Sequence, residues 1–157
     1  MKLASYEMMI AAPAEVVWAH LTTAAGLVRW VGPDATADPV PGGTLRWTHP
    51  NGATVVGRFL ELVPHRRVVF SYGWEDGRMG VPPESTTVEI DLVEEASATR
   101  LRLVHHGLPP AVVDDHERGW TYFLGLLGDT LSEQAATRGS VRGSRGAAGP
   151  SRPPCFD

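Results

Sequence analysis

Three histidines carry most of the chemistry that this chain could offer. His105 falls on the inward phase of a predicted strand and His116 on the apolar stripe of a predicted helix, whereas His106 falls on the outward phase. An imidazole can serve as general acid or base, or hydrogen-bond a ligand. The alternative is that each inward ring caps or bonds local backbone. None has a helical i, i+4 partner or an acidic partner at metal-binding spacing, so we predict no metal and no cofactor.

The candidate catalytic residues are His105, Tyr72 and Arg58, because proton transfer or cyclisation in a cavity would need side chains of these types. No nucleophile motif accompanies them. The sequence has no Gly-x-Ser-x-Gly motif and no phosphate-binding glycine-rich loop before a helix. Its single cysteine, Cys155, lies close to the end of the chain.

Aromatic residues recur in the elements that should border one cavity. With their neighbours they give the predicted ligand contacts, which are Trp30, Trp47, Phe59, Phe70, Tyr72, Trp74, His105, His116, Trp120, Phe123, Leu124 and Leu127. Large aromatic walls with few polar groups are typical of small-ligand pockets. Core packing is the alternative at any single position. As a set, these residues favour a pocket.

Hydrophobic periodicity and turn residues predict the elements that position these side chains. We expect strands over residues 3–10, 44–49, 53–62, 67–74, 86–94 and 99–106, short helices near 16–21 and 23–29, and a long helix over 111–136. Pro13 should occupy the first position of the first helix. Turn residues fill 38–43, so the next ordered element should begin at Thr44, and Asn51-Gly52 predicts a tight hairpin turn.

The last two predicted strands alternate between apolar and charged residues. The inward phase holds Val88, Ile90, Leu92, Leu101, Leu103 and His105, and the outward phase holds Glu89, Asp91, Arg100 and Arg102. This period of two predicts an antiparallel sheet that is covered on one side. The cover is the final helix, whose stripe at steps of three and four is His116, Trp120, Phe123, Leu124, Leu127 and Leu131. The predicted class is therefore α+β.

Composition limits the remaining possibilities. The chain has 157 residues, of which 43% are hydrophobic and 20% charged, as in one globular domain. A net charge of −4 argues against nucleic acid as a partner. No window approaches the roughly 20 apolar residues of a membrane span, and the cysteine content fits a cytoplasmic protein. We assign residues 1–136 to the domain and 137–157, rich in Gly, Ser, Arg and Pro, to a flexible tail.

Several segments resemble the START-like, or SRPBCC, superfamily, and within it the bacterial homologues of the activator of heat-shock-protein-90 ATPase. They are APAEVVWAHLTTAAGLVRWV, PGGTLRW, GRFLELVPHRRVVFSYGW and LVHHGLPPAVVDDHERGWTYFLGLLGDTL. The resemblance spans about residues 3 to 136. It implies a helix-grip fold, in which a curved antiparallel sheet wraps around a long C-terminal helix, with two short helices after the first strand. It also implies a cavity between sheet and helix that often holds a lipophilic molecule.

Members of this superfamily differ in function, so the resemblance leaves three hypotheses. The leading one is a hydrophobic or aromatic small molecule bound in the cavity. The second is a polyketide cyclase or dehydratase that uses His105 or a neighbouring tyrosine as acid or base. The third is a module that binds a chaperone ATPase. A monomer and a homodimer both fit, and the high Gly, Ala, Arg and Pro content fits a bacterial protein.

Overall fold

The computed structural model describes residues 3–139, with side chains up to residue 134. In chain order its elements are β1 (Ala4–Ile10), α1 (Ala14–Thr22), α2 (Ala24–Leu27), β2 (Asp34–Ala37), β3 (Thr44–Thr48), β4 (Thr54–Val63), β5 (Arg67–Tyr72), β6 (Thr86–Glu95), β7 (Ala98–His106) and α3 (Val113–Gly139). Short 3-10 turns occupy Arg78–Gly80, between β5 and β6, and Pro110–Val112, directly before α3.

The seven strands form one curved antiparallel sheet in the order β1-β7-β6-β5-β4-β3-β2. Strand β1 pairs with β7, which brings the two ends of the domain together, and α3 packs beside β1. The register between β4 and β5 shifts between Phe59 and Glu61, where an irregularity of this kind bends a strand. This architecture confirms the predicted α+β helix-grip fold.

The two faces of β6 and β7 divide as predicted. The apolar phase is buried to within a few per cent of complete burial, and on β7 it ends at His105. On the opposite face Arg67 of β5 bonds Asp91 of β6 at 3.0 Å, and Arg100 of β7 bonds Glu95 at 3.0 Å. These pairs stay in water, because the carboxylates and guanidinium groups of the outer face have nothing packed above them.

Side chains accept hydrogen bonds from amides at the N-termini of both α1 and α2. Pro13 is the N-cap of α1 rather than its first helical residue, and the Glu94 carboxylate accepts a hydrogen bond from the Ala14 amide at 2.8 Å. The Thr23 hydroxyl accepts from the Gly26 amide at 3.0 Å and so caps α2. Helix α2 ends at Leu27, before the predicted residue 29.

One expectation for the following segment was wrong, and one is confirmed. A strand, β2, forms before Thr44, and it was missed because four residues of mixed polarity at a sheet edge carry no hydrophobic period. The β3–β4 hairpin turns tightly at Asn51-Gly52 as predicted, because the Gly52 amide donates to the His49 carbonyl at 2.9 Å and the His49 amide donates to the Ala53 carbonyl at 2.8 Å. The Asn51 side chain accepts from the Ala53 amide at 3.0 Å and adds to the bonding of this turn.

Helix α3 buries the predicted stripe, and its inward members from His116 to Leu131 are at most 6% exposed. It starts two residues later than predicted, after the 3-10 turn, and continues to Gly139 rather than ending at residue 136. The rest of the predicted flexible tail, from residue 140, lies outside the described residues. None of the helices within residues 3–139 has the length and apolar character needed to cross a membrane.

Gly57 of β4 should be one of the positions least tolerant of a side chain. A Cβ there would lie 1.8 Å from the backbone oxygen of Ser71, whereas a Cβ on Gly125 of α3 would meet nothing within 4 Å. We expect Gly57→Ala to lower the free energy of unfolding by about 1–3 kcal/mol. Gly125→Ala should raise it by roughly 0.5–1 kcal/mol. Urea titrations of both variants check this, and equal effects would contradict it.

Candidate functional site

A gap lies where α3 crosses the inner face of the sheet. It is lined by Val31, Trp47, His49, Tyr72, His116, Gly119, Trp120 and Phe123. These residues come from the segment after α2, from β3 and the turn after it, from β5 and from α3. The unfilled volume is about 10 Å³, close to the space that one water molecule requires. In this conformation the side chains themselves fill most of the interior.

Trp47 is at the centre of the aromatic packing around the gap. Its ring meets Phe70 at 6.0 Å, Tyr72 at 6.1 Å and Trp120 at 6.4 Å between centroids, each edge-to-face. Edge-to-face pairs add to the stability that burial alone gives, because the positive ring edge meets the negative face of its neighbour. The sheet and α3 are therefore joined by ring contacts across the gap.

Both ring nitrogens of His105, which lies in the core beside the gap, have hydrogen-bond partners. The Trp120 indole N–H donates to its Nδ1 at 3.0 Å, and its Nε2 lies 2.9 Å from the Thr86 hydroxyl. That hydroxyl donates to the Tyr72 backbone oxygen at 2.7 Å, so Nε2 must carry the proton that the hydroxyl accepts. Burial, together with His116 and His106, lowers the pKa of His105 well below its usual value. The ring is a neutral imidazole.

His116 is held in the same way with the opposite tautomer. Its Nδ1 lies 2.8 Å from the Val112 carbonyl oxygen and therefore donates, and its Nε2 accepts from the Trp74 indole N–H at 3.1 Å. Burial is the main cause that lowers the pKa of this ring, although the Val112 bond and Asp115 oppose it. The His116 ring is thus bonded both to the 3-10 turn before α3 and to the segment after β5.

His49 is a site residue that the sequence analysis missed. Its Nδ1 donates to the Val31 carbonyl at 2.9 Å, its Nε2 accepts from the Trp47 indole at 3.2 Å, and its ring stacks on Phe123 at 4.3 Å. Burial lowers the pKa of His49 to about 4. The available signal was its spacing of two from Trp47, because alternate residues of a strand share a face.

Three tryptophan–histidine pairs therefore line or support the gap, and each uses an indole N–H to fill the lone pair of a neutral imidazole. The other nitrogen of each ring donates to a carbonyl or hydroxyl oxygen. A base needs a lone pair that can accept a proton. Any of these rings would have to give up its tryptophan partner first.

Tyr72 reaches the centre of this arrangement. Its ring lies 4.5 Å from that of His105 and 5.9 Å from that of His116. The residue is 3% exposed, and within residues 3–139 its hydroxyl makes no hydrogen bond. Burial alone raises the pKa of Tyr72, so the phenol stays protonated. The hydroxyl oxygen is not one of the fully buried unpaired atoms, so it faces the gap that Tyr72 lines.

The structure brings five of the twelve predicted ligand contacts to the gap, and they are Trp47, Tyr72, His116, Trp120 and Phe123. The other seven lie in the surrounding core, and they are Trp30, Phe59, Phe70, Trp74, His105, Leu124 and Leu127. Trp30 has a structural contact elsewhere. Its indole donates to the His20 carbonyl at 2.8 Å and so connects α1 with the segment after α2.

Arg58 does not belong to the site. It is an exposed residue of β4, and its guanidinium bonds Glu84 at 3.0 Å and the Gly42 carbonyl at 3.3 Å. The prediction that it could serve in the cavity was wrong because strand alternation sends it outward, while Phe59 beside it points into the core. His106 lies on the outer face as predicted, 3.4 Å from Glu89. Within the described residues, no three His, Cys, Asp or Glu side chains form a group that could hold a metal ion.

Comparison with known proteins gives a consistent answer about the family. The model of the family described as "Activator of Hsp90 ATPase homolog 1-like protein" matches residues 11–132. Among proteins of curated function, none matches the sequence significantly.

Solved structures share the fold. DynU16, a protein in the dynemicin biosynthetic locus, is 24% identical with a TM-score of 0.73, and the match covers 85% of this chain and 48% of that one. This chain thus spans about half the length of DynU16. The Aha1 dimer from Colwellia psychrerythraea is 24% identical over 83% of this chain and 96% of that one, with a TM-score of 0.68. CalU16 from Micromonospora echinospora is 27% identical over 80% and 71%, with a TM-score of 0.65.

Proposed function

The chain belongs to the Activator of Hsp90 ATPase homolog 1-like family, and from this premise we propose that it binds an apolar or aromatic small molecule between α3 and the inner face of the sheet. The observation that carries the proposal is the lining of the gap. Aromatic and imidazole rings from β3, the turn after it, β5 and α3 surround one point, and no charged side chain is among them. Concave sites that are mainly aromatic, with a few fixed polar groups, are the usual form of small-ligand pockets.

Binding requires the gap to widen, because about 10 Å³ is far smaller than an aromatic molecule. Phe123 can turn without breaking a side-chain hydrogen bond. Its ring packs on His49 and Tyr122 and has no hydrogen-bonding group, whereas the Trp120 indole is bonded to His105. We expect Phe123 to turn away when a ligand enters, while the tryptophan–histidine pairs keep their geometry.

An enzyme of the cyclase or dehydratase type is the alternative that the geometry partly supports. Tyr72, His105 and His116 converge, with ring centroids between 4.5 and 5.9 Å apart. Both imidazoles, however, already accept from tryptophan N–H groups, so an acid-base role would require those bonds to break. DynU16 is a putative protein in the dynemicin biosynthetic locus, which gives this alternative its context. Turnover of a polyketone that Tyr72→Phe abolishes would favour it over binding.

A chaperone-binding role is the third possibility, because the proteins that share the fold include Aha1 and an HSP90 activator from Plasmodium falciparum. The identity of those neighbours is 24% and 23%, which supports the fold alone. Stimulation of a bacterial Hsp90-type ATPase by the purified chain would favour this role. A dimeric state, as in the Aha1 structure, is a further proposal that light scattering can check.

Phe123→Ala should bind naphthalene about tenfold more tightly than the original chain does, because the variant no longer has to displace the ring. Leu131→Ala is the matched control. Leu131 is buried in the same helix but does not line the gap, so its loss should destabilise the fold without raising affinity. Calorimetric titration measures both constants. Absence of binding by both the original chain and Phe123→Ala, across a panel of aromatic hydrocarbons and ketones, would overturn the proposal.

A further inference from the structure

We infer that the ligand of this gap is an uncharged, flat molecule that carries an oxygen atom able to accept a hydrogen bond from the Tyr72 hydroxyl. The inference rests on the binding function proposed above and names the class of ligand. Ketones and quinones of aromatic ring systems belong to this class, whereas hydrocarbons lack the oxygen and carboxylates carry a charge.

The imidazole and indole groups of the site already have hydrogen-bond partners within the protein. Each indole N–H of the three tryptophan–histidine pairs donates to an imidazole. The remaining imidazole N–H groups donate to the Val31 and Val112 carbonyls and to Thr86. The Thr86 hydroxyl is itself used on the Tyr72 carbonyl. The polar side chains around Tyr72 therefore have internal partners and gain nothing from a ligand.

The Tyr72 hydroxyl is the polar group of the lining that has no such partner. Its residue is 3% exposed and lines the gap, and no residue of the described range 3–134 bonds the hydroxyl. The hydroxyl oxygen is not one of the fully buried unpaired atoms, so it opens onto the gap, where a ligand can reach it. Burial keeps the phenol protonated, so the hydroxyl can donate a hydrogen bond to an oxygen atom of the ligand.

None of the residues that line the gap is an Asp, Glu, Lys or Arg. The arginines that adjoin lining residues in the sequence, Arg46 beside Trp47 and Arg118 beside Gly119, have solvent-accessible side chains and are paired with Glu75 and Asp115. A carboxylate ligand would lose its water for one neutral donor, and such a transfer is strongly unfavourable. An ammonium ligand would find no carboxylate in the lining. A neutral oxygen, in contrast, loses little water and regains its hydrogen bond.

Three probes of similar shape separate these cases: naphthalene, 2-acetylnaphthalene and 2-naphthoate. We expect the ketone to bind about three- to tenfold more tightly than the hydrocarbon, which corresponds to one neutral hydrogen bond. The carboxylate should bind at least tenfold more weakly than the ketone. In Tyr72→Phe the advantage of the ketone over naphthalene should vanish, so that the ratio of the two affinities falls to about one. The set is titrated into the original chain and into Phe123→Ala, with Tyr72→Phe made in each.

The possible outcomes test the class of ligand and the binding function separately. If all probes bind but Tyr72→Phe leaves the preference for the ketone unchanged, or if the carboxylate binds best, the inference is overturned and the proposed binding function stands. If no probe binds to any variant, the binding function fails, and the inference falls with it. Thermal unfolding gives an independent readout. Tyr72→Phe should melt at the same or a higher temperature, and a clear drop would show that the hydroxyl has a partner within the protein.

Discussion

Replacing Trp120 with alanine is expected to lower the free energy of unfolding by roughly 4 kcal/mol. The side chain is 6% exposed and joins α3 to the sheet through its contacts with Trp47 and Tyr72. Its removal leaves a large cavity and also takes the N–H donor from His105. Urea unfolding followed by far-ultraviolet circular dichroism measures the change without relying on the fluorescence of the deleted residue.

Trp120→Phe is the control that separates packing from hydrogen bonding. Phenylalanine keeps much of the apolar contact but cannot donate to the Nδ1 atom of His105. We expect it to cost about 1–3 kcal/mol, the usual penalty of leaving a buried acceptor unpaired. If Trp120→Ala lowered the free energy of unfolding by less than about 1 kcal/mol, contacts other than those of Trp120 would hold α3 to the sheet.

Acidification should destabilise the domain between about pH 6.5 and pH 4. Burial lowers the pKa of His49 from 6.5 to about 4, and it also lowers the pKa values of His105 and His116. Below pH 6.5 the unfolded chain therefore binds protons that the folded chain does not, and the free energy of unfolding falls with pH. His49 alone corresponds to roughly 3 kcal/mol over this range. Above pH 6.5 these rings add no pH dependence.

Urea titrations at several pH values measure this slope, and one variant tests its origin. His49→Gln should make the slope shallower by about one proton between pH 6.5 and 4, because glutamine does not titrate. The pKa of Asp76 is lowered to about 2 by its hydrogen bonds with Arg78, so this carboxylate titrates at the acid end, outside the tested window. A free energy of unfolding that stays constant from pH 6.5 to 4 would contradict the prediction.

Local patterns in the sequence predicted much of the fold. The alternation in β6 and β7 identified an inward face that ends at His105, and the stripe of α3 identified the helix that covers it. Both signals depend only on the hydrophobic period within one strand or one helix, and this period can be read directly from the sequence. The short edge strand β2 has no such period, because pairing with β3 rather than burial of one face makes it a strand.

The site depended far more on tertiary structure. The sequence supplied aromatic residues and inward histidines in abundance, but only five of the twelve predicted contacts reach the gap, and His49 was missed. The tryptophan–histidine pairs join residues as far apart as Trp74 and His116, 42 positions along the chain. No local period encodes which indole meets which imidazole. That choice follows from how α3 crosses the sheet, and it also places the Tyr72 hydroxyl at the gap, where no side chain of residues 3–134 bonds it.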